Sequence, residues 1–344
     1  MASARGRHRA FSLVELLVVI AIIVALVGLL LVALRGAQDS AKRTKTLSTM
    51  QAFANACEEF KLEHDRFPGI IPDDALSAEP QLTTTQNALL DLLGGARAFH
   101  PIFRQREKAE YDAFVALTET KEVTFPGSGW RLAFNPERFG EGPVINGKQY
   151  GSYLSVDDTV VRVLTKQDDF MNLGGTLNPN APPADAGKLE VPDLVDAWGQ
   201  PIIYLRRFSP SGPLVGEDPT ARPQFLLGAI DVYVSNKELG DLGKPQVNDM
   251  GAIEYSIFHG GEEATDTLAQ IIRNAAFGDP DDPQGGTARG SFVLLSAGTD
   301  GVYFAVTDGP GTRDMPVTNI INDANTGNPK VVEGYDDVRV FGGG

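Results

Sequence analysis

Cysteine is nearly absent: Cys57 is the only one in 344 residues, which excludes an intrachain disulfide and a cysteine-rich zinc site. The four histidines, His8, His64, His100 and His259, contain no pair at metal-ligand spacing, and His259 with Glu262 and Glu263 reads as a polar turn. Basic charge is short as well. Against 45 Asp and Glu stand 30 Lys and Arg, a net charge of -15 that repels phosphate backbones, so no nucleic-acid partner is expected. There is no Gly-x-Ser-x-Gly elbow, no Walker A loop and no Gly-x-Gly-x-x-Gly after a strand. The acidic pairs Asp73/Asp74, Asp157/Asp158 and Asp168/Asp169 are chain neighbours and read as solvated surface. No internal repeat is present. A structural role is expected in place of an enzymatic one.

What is there begins with apolar residues, 42% of the chain, enough for a substantial core. The first sixty residues are the most informative. Residues 1–10, "MASARGRHRA", hold three Arg, one His and no acid, while residues 16–34, "LLVVIAIIVALVGLLLVAL", carry no polar side chain. Nineteen helical residues at ~1.5 Å each cover roughly 28 Å, close to the ~30 Å hydrocarbon core of a bilayer. One span is expected, with the basic end cytoplasmic and everything after Arg35 across the membrane. A cleaved secretory signal has a shorter apolar run, about 7–15 residues, and ends at a small-residue site; no clean A-x-A follows here.

The helical pattern continues past the apolar run. Met50, Phe53, Ala54, Cys57, Phe60 and His64 recur at three- and four-residue steps, a stripe that predicts a helix from about Phe11 to about Asp65, stopped by Pro68 and Gly69. Its first half, 11–35, is assigned to lipid and assembly. Its second half, 36–68, is assigned to packing on a globular domain, 69–344. Glu15 breaks the apolar pattern: a carboxylate inside such a run costs about 2–3 kcal/mol and calls for a partner or a task.

Residues 10–23, "AFSLVELLVVIAII", resemble the class III signal of type IV pilins and of the pseudopilins of type II secretion systems. The resemblance implies that a basic leader, 1–10, is removed by a prepilin peptidase after Ala10, that the new terminus at Phe11 is N-methylated, and that Glu15 neutralises a neighbouring subunit's terminal amine during polymerisation. Two departures stand out. Ala10 occupies the place where the family usually has Gly, and no Pro interrupts the apolar run. Further echoes of the major pseudopilin are "FKLEHDRFPG" at 60–69 and "DAWGQPIIYLRRF" at 196–208, where Ala197 stands for the family's Pro and Trp198 anchors a turn against the helix. "SFVLLSAGTDGVYFAVTDG", read as strands at 291–296 and 302–306 around a turn, and "YDDVRVF" at 335–341 complete the set. In the family the last two segments wrap calcium, which implies Asp300, Asp336 and Asp337 as ligands of a hard oxygen shell.

Residues 70–190 read as an insertion into the compact family form, with helices in "TTQNALLDLLGGA" and "PIFRQREKAEYDAFVALTET" and strands in "WRLAFN" and "TVVRVLT". Pro- and Gly-rich stretches at 174–192, 209–223 and 278–290 read as surface loops, and "FLLGAIDVYVSN" with "FVLLSAG" as strands. The expected fold is α+β: a long N-terminal helix on a small antiparallel sheet with an enlarged ectodomain. The implied function is that of a subunit of a type II secretion pseudopilus. It would be anchored in the inner membrane with its C-terminal domain periplasmic, and its partners would be itself, other pseudopilins, the peptidase and the inner-membrane platform. The alternative is a type IV pilin or a surface-displayed, pilin-like adhesion protein.

Overall fold

The computed structural model describes residues 13–78, 82–103, 105–125, 127–155, 161–163, 191–199, 202–216, 218–226, 246–247, 253–254, 268–269, 271–274, 282, 284–299, 303 and 337–343. The chain divides at Thr44 and Lys45 into two compact units. One helix, α1 (Leu13–His64), supplies most of the first and opens the second; its 52 residues contain no Pro. Asp65 ends it in a left-handed conformation, φ 56°, with its N–H bonded to the Lys61 carbonyl at 2.8 Å, and Pro68 then prevents resumption.

Two short helices follow, α2 (Asp73–Ala78) and α3 (Thr84–Leu93), then strand β1 (Ala96–Phe99) and helix α4 (Gln105–Val115). Strands β2 (Lys121–Phe125) and β3 (Trp130–Phe134) join β1 in an antiparallel sheet of order β1-β3-β2. The hairpin β4 (Val144–Ile145) and β5 (Lys148–Gln149) turns through Asn146-Gly147, both at positive φ as such a two-residue loop requires. Strand β6 (Val161–Val163) pairs with β7 (Pro192–Leu194). The sheet of β8 (Ile203–Arg206), β13 (Phe292–Ser296) and β14 (Val338–Gly342) is antiparallel in the order β14-β13-β8. Between β8 and β13 lie β9 (Val215–Gly216) with β10 (Phe225–Leu226), paired parallel, and β11 (Gln246–Val247) with β12 (Ile253–Glu254), paired antiparallel.

Packing in residues 45–344 follows the stripe on α1. Met50, Phe53, Ala54, Cys57 and Phe60 are buried against Leu89, Leu92 and Leu93 of α3, Tyr204 of β8 and Phe292 and Leu294 of β13. Burying a side chain of this size favours folding by about 1.5–3 kcal/mol, so this stripe dominates the docking of the helix. Strand β13 is buried at every residue. Its alternate residues Val293 and Leu295 pack on the opposite face with Leu205, Leu214, Phe225 and Ile272, which is why its sequence is continuously apolar. The sheet is therefore covered on both faces, more than a sheet lying on one helix needs.

Two expectations change in detail. The stretch 209–223 is not all surface loop: Leu214 and Val215 are buried, and Val215 starts β9. Helix α3, read as part of the insertion, has all ten residues buried and belongs to the core under α1, while Leu90 on another face packs with Phe125, Leu132 and Phe134 of the β1-β3-β2 layer. Of the strand expected at 302–306, only Tyr303 lies within the described residues; it is buried and stands in a turn.

Candidate assembly interface

Residues Leu13–Gly28 carry a single charged side chain, Glu15, in the first turn of α1, where a carboxylate interacts favourably with the helix dipole. Twelve large apolar side chains between Leu13 and Val27 are exposed, from 43% at Val19 to 80% at Leu13. An apolar surface of this continuity marks an interaction site with lipid or with protein. Among the described residues no helix is long and apolar enough to cross a membrane. Side chains of the apolar end are described for the sixteen residues Leu13–Gly28, or about 24 Å, after which the description resumes at Leu34. Ala10 and Phe11, expected to flank the cleavage point, lie outside the described residues.

The other end of the helix is fixed by three polar clusters, all within residues 45–344. At Thr46 the hydroxyl accepts the N–H of Ala197 at 3.0 Å, in the turn where Asp196 Oδ1 accepts the Trp198 N–H and Asp196 Oδ2 accepts Ser296 Oγ–H at 2.8 Å. Gly199 closes that turn at φ 92°, so the expected contact between the Trp198 turn and the helix is present, and backbone and Thr46 carry it. The Trp198 indole nitrogen is buried without a hydrogen-bond partner.

At the helix exit, Arg206 of β8 gathers the departing chain. Its guanidinium donates to the carbonyls of Phe67, Pro68, Gly69 and Ile71 at 2.9–3.3 Å and pairs with Asp73 at 2.8 Å. Burial alone lowers an arginine pKa, yet Asp73 holds this one above its ordinary value. Asp91 of α3 accepts the Gly69 N–H at 2.8 Å and pairs with Arg66. In the sequence the one local signal for Arg206 is its place at the end of an apolar strand.

The third cluster surrounds His64. Its Nε2 lies 2.9 Å from the Tyr153 hydroxyl, which donates to Glu63, and its ring meets Tyr150 and Phe60 at 4.7 and 4.5 Å. Burial leads the causes that push the His64 pKa below its usual value. Of the expected calcium ligands, Asp300 and Asp336 lie outside the described residues. Asp337 is buried at the head of β14, one step beyond the Ser296–Val338 pair. Among the described residues no three His, Cys, Asp or Glu gather to hold a metal.

The family described as "Prokaryotic N-terminal methylation motif" matches residues 5–31. The chain is 37% identical over 62 residues to the type II secretion system core protein G of Klebsiella pneumoniae, covering 18% of this chain and 44% of the relative. To the protein of the same name from Klebsiella michiganensis it is 38% identical over 64 residues, covering 19% and 45%. The chain thus matches less than half the length of either relative. No solved structure matches it. Its N-terminal part is pilin-like and, more narrowly, pseudopilin-like, and its fold is α+β with an enlarged ectodomain.

Proposed function

We propose that this chain is a structural subunit of a type II secretion pseudopilus, made with a basic leader that a prepilin peptidase removes between Ala10 and Phe11. The observation that carries the reading is Glu15, the lone charge in the first turn of an exposed apolar helix inside the matched methylation motif. Cleavage leaves an amine at Phe11, and the Glu15 carboxylate of a neighbouring subunit neutralises it where water is scarce and an unpaired charge is costly. Methylation retains that positive charge. The exposed apolar residues enter the inner membrane before assembly and pack on other copies after it, with the ectodomain in the periplasm. Partners are further copies, other pseudopilins and the inner-membrane platform, and the subunit contributes packing to the export of folded proteins.

The test is intact mass and N-terminal sequencing of protein from membranes of a host with a prepilin peptidase. A chain beginning with N-methylated Phe11 is expected; retention of residues 1–10, or a cut beyond Leu34, overturns the proposal.

Calcium is a second part of this reading. The support is Asp337, a buried carboxylate at the head of β14 one step beyond the Ser296–Val338 pair, which suits one hard oxygen donor of a calcium shell. Asp300 and Asp336 would supply further oxygens, and the ion would fasten the β13 turn to the start of β14. A chelator should then lower the melting temperature of the wild type and leave Asp300→Ala unchanged. An identical wild-type melting curve with and without chelator removes calcium from the account.

A further inference from the structure

Just beyond its apolar run, α1 carries charge that neither the packing of the ectodomain nor the Glu15 pairing uses. Between Arg35 and Lys45 stand four basic residues, Arg35, Lys42, Arg43 and Lys45, and one acid, Asp39, in a chain whose net charge is -15. The stretch runs against the charge of the rest. Lys42, Arg43 and Lys45 are exposed, as are Ala37, Ala41 and Thr44. Lys42 and Lys45 have no ion pair among the described residues. At 3.6 residues per turn, positions 35, 39, 42 and 43 share one face of the helix, and positions 37, 41 and 44 lie opposite, where the sequence has only Ala and Thr. Charge is therefore gathered on one side of this stretch.

We propose that this basic run binds the phosphate headgroups of anionic lipids at the membrane surface from which α1 emerges, an inference that rests on the reading that residues 16–34 enter a bilayer. Arg35 directly follows those residues, level with the headgroups, which occupy ~5–8 Å on each side of the hydrocarbon core. Lys42 stands roughly 10 Å further along the axis and Lys45 roughly 15 Å. Side chains on a helix lean toward its N-terminus, here toward the lipid, and the long stems of Lys and Arg carry their charges further the same way. A tilt of ~20° toward the charged face, ordinary for a spanning helix, brings them lower still. The cations then lie within the ~8–10 Å over which charge is felt at physiological salt. The chain's overall negative charge is repelled by an anionic surface, which leaves this run as the part that attracts one. Arginine meets a phosphate through two parallel hydrogen bonds and lysine as a point charge. Headgroup binding would fix the depth of the helix in the bilayer, and with it the level at which Glu15 is presented to other copies.

The test reconstitutes the full chain in vesicles of equal parts phosphatidylcholine and phosphatidylglycerol. Spin-labelled forms of the two lipids are compared by electron paramagnetic resonance, which separates lipid held at the protein from free lipid. The wild type should prefer phosphatidylglycerol by about fivefold, the gain that one basic residue in full contact supplies. Lys42→Gln, Arg43→Gln and Lys45→Gln together should remove most of that preference, while Lys42→Arg with Arg43→Lys should keep it, because charge is what is read. The leader's Arg5, Arg7 and Arg9 belong to the other surface of the bilayer, so the comparison with the triple variant decides. In the wild type, about 1 M sodium chloride should also lower the preference, since it shortens the screening length to ~3 Å. No preference in the wild type, a preference unchanged by salt, or one that the triple variant retains would each overturn the proposal. A triple variant that keeps its lipid preference and loses filaments would assign the run instead to the acidic surface of another copy. Release of the chain from the vesicles by alkaline carbonate would overturn the membrane reading and the proposal with it; where the chain is retained, failure belongs to the proposal alone.

Discussion

Single residues set the chemistry at both ends of α1. Glu15→Gln keeps the size and polarity of the side chain and removes its charge. Membrane insertion and cleavage should continue while filament yield falls at least severalfold, scored by sheared-filament immunoblots; normal yield would sink the pairing with the Phe11 amine. His64 gives a pH prediction. Its folded pKa is below the unfolded value of ~6.5, so the unfolded chain binds more protons in that range and stability rises with pH toward it. Acidifying from pH 7.5 to 5.5 should lower the melting temperature more for the wild type than for His64→Gln, and parallel curves would exclude His64 as the cause. Arg206 holds the segment that leaves α1. Arg206→Met leaves Asp73 and four carbonyls without their cation in a buried place, a loss of about 3–5 kcal/mol measurable by urea unfolding.

Among the elements, α1 was the most legible, because three- and four-residue spacing of apolar side chains reflects one packed face whatever the neighbours are. Met50, Phe53, Ala54, Cys57 and Phe60 are buried as that spacing predicts, and the helix ends near Asp65. Strand β13 was legible because both of its faces are buried, which makes its sequence continuously apolar. Helix α3 was legible as a helix in "TTQNALLDLLGGA", but its place in the core was not, because its opening threonines do not show what they touch. Thr83 does cap it, with Gln86 completing a capping box. The other two threonines close the edge of β8, an arrangement that only the fold can create. Thr85 Oγ1 accepts the Tyr204 N–H at 2.9 Å and donates to the Ile202 carbonyl at 2.7 Å, and Thr84 donates to the Tyr204 carbonyl. Thr85→Val keeps the shape and strands two backbone groups, so a loss of about 1–3 kcal/mol is expected from urea unfolding.

In the whole molecule, α3 links two layers. Leu89, Leu92 and Leu93 pack under α1, while Leu90 packs with Phe125 and Phe134 of the other sheet, so the two cores share a helix. Trp130 reports on one layer and Trp198 on the other. Single-tryptophan variants, Trp198→Phe and Trp130→Phe, should show the same urea midpoint once corrected for their own stability, since shared packing makes unfolding cooperative. Separate midpoints would make the β1-β3-β2 layer an independent folding unit.

The Arg206 clamp has a mechanical consequence. Its four carbonyl contacts join the segment leaving α1 to the end of β8, and β8 is hydrogen-bonded along its length to β13. Tension on the segment that leaves α1 reaches the sheet at that guanidinium and loads several bonds together, where a flexible connector would let them give way one after another. The exit of the helix is thereby a stiff joint and not a hinge, because its bonds act in parallel.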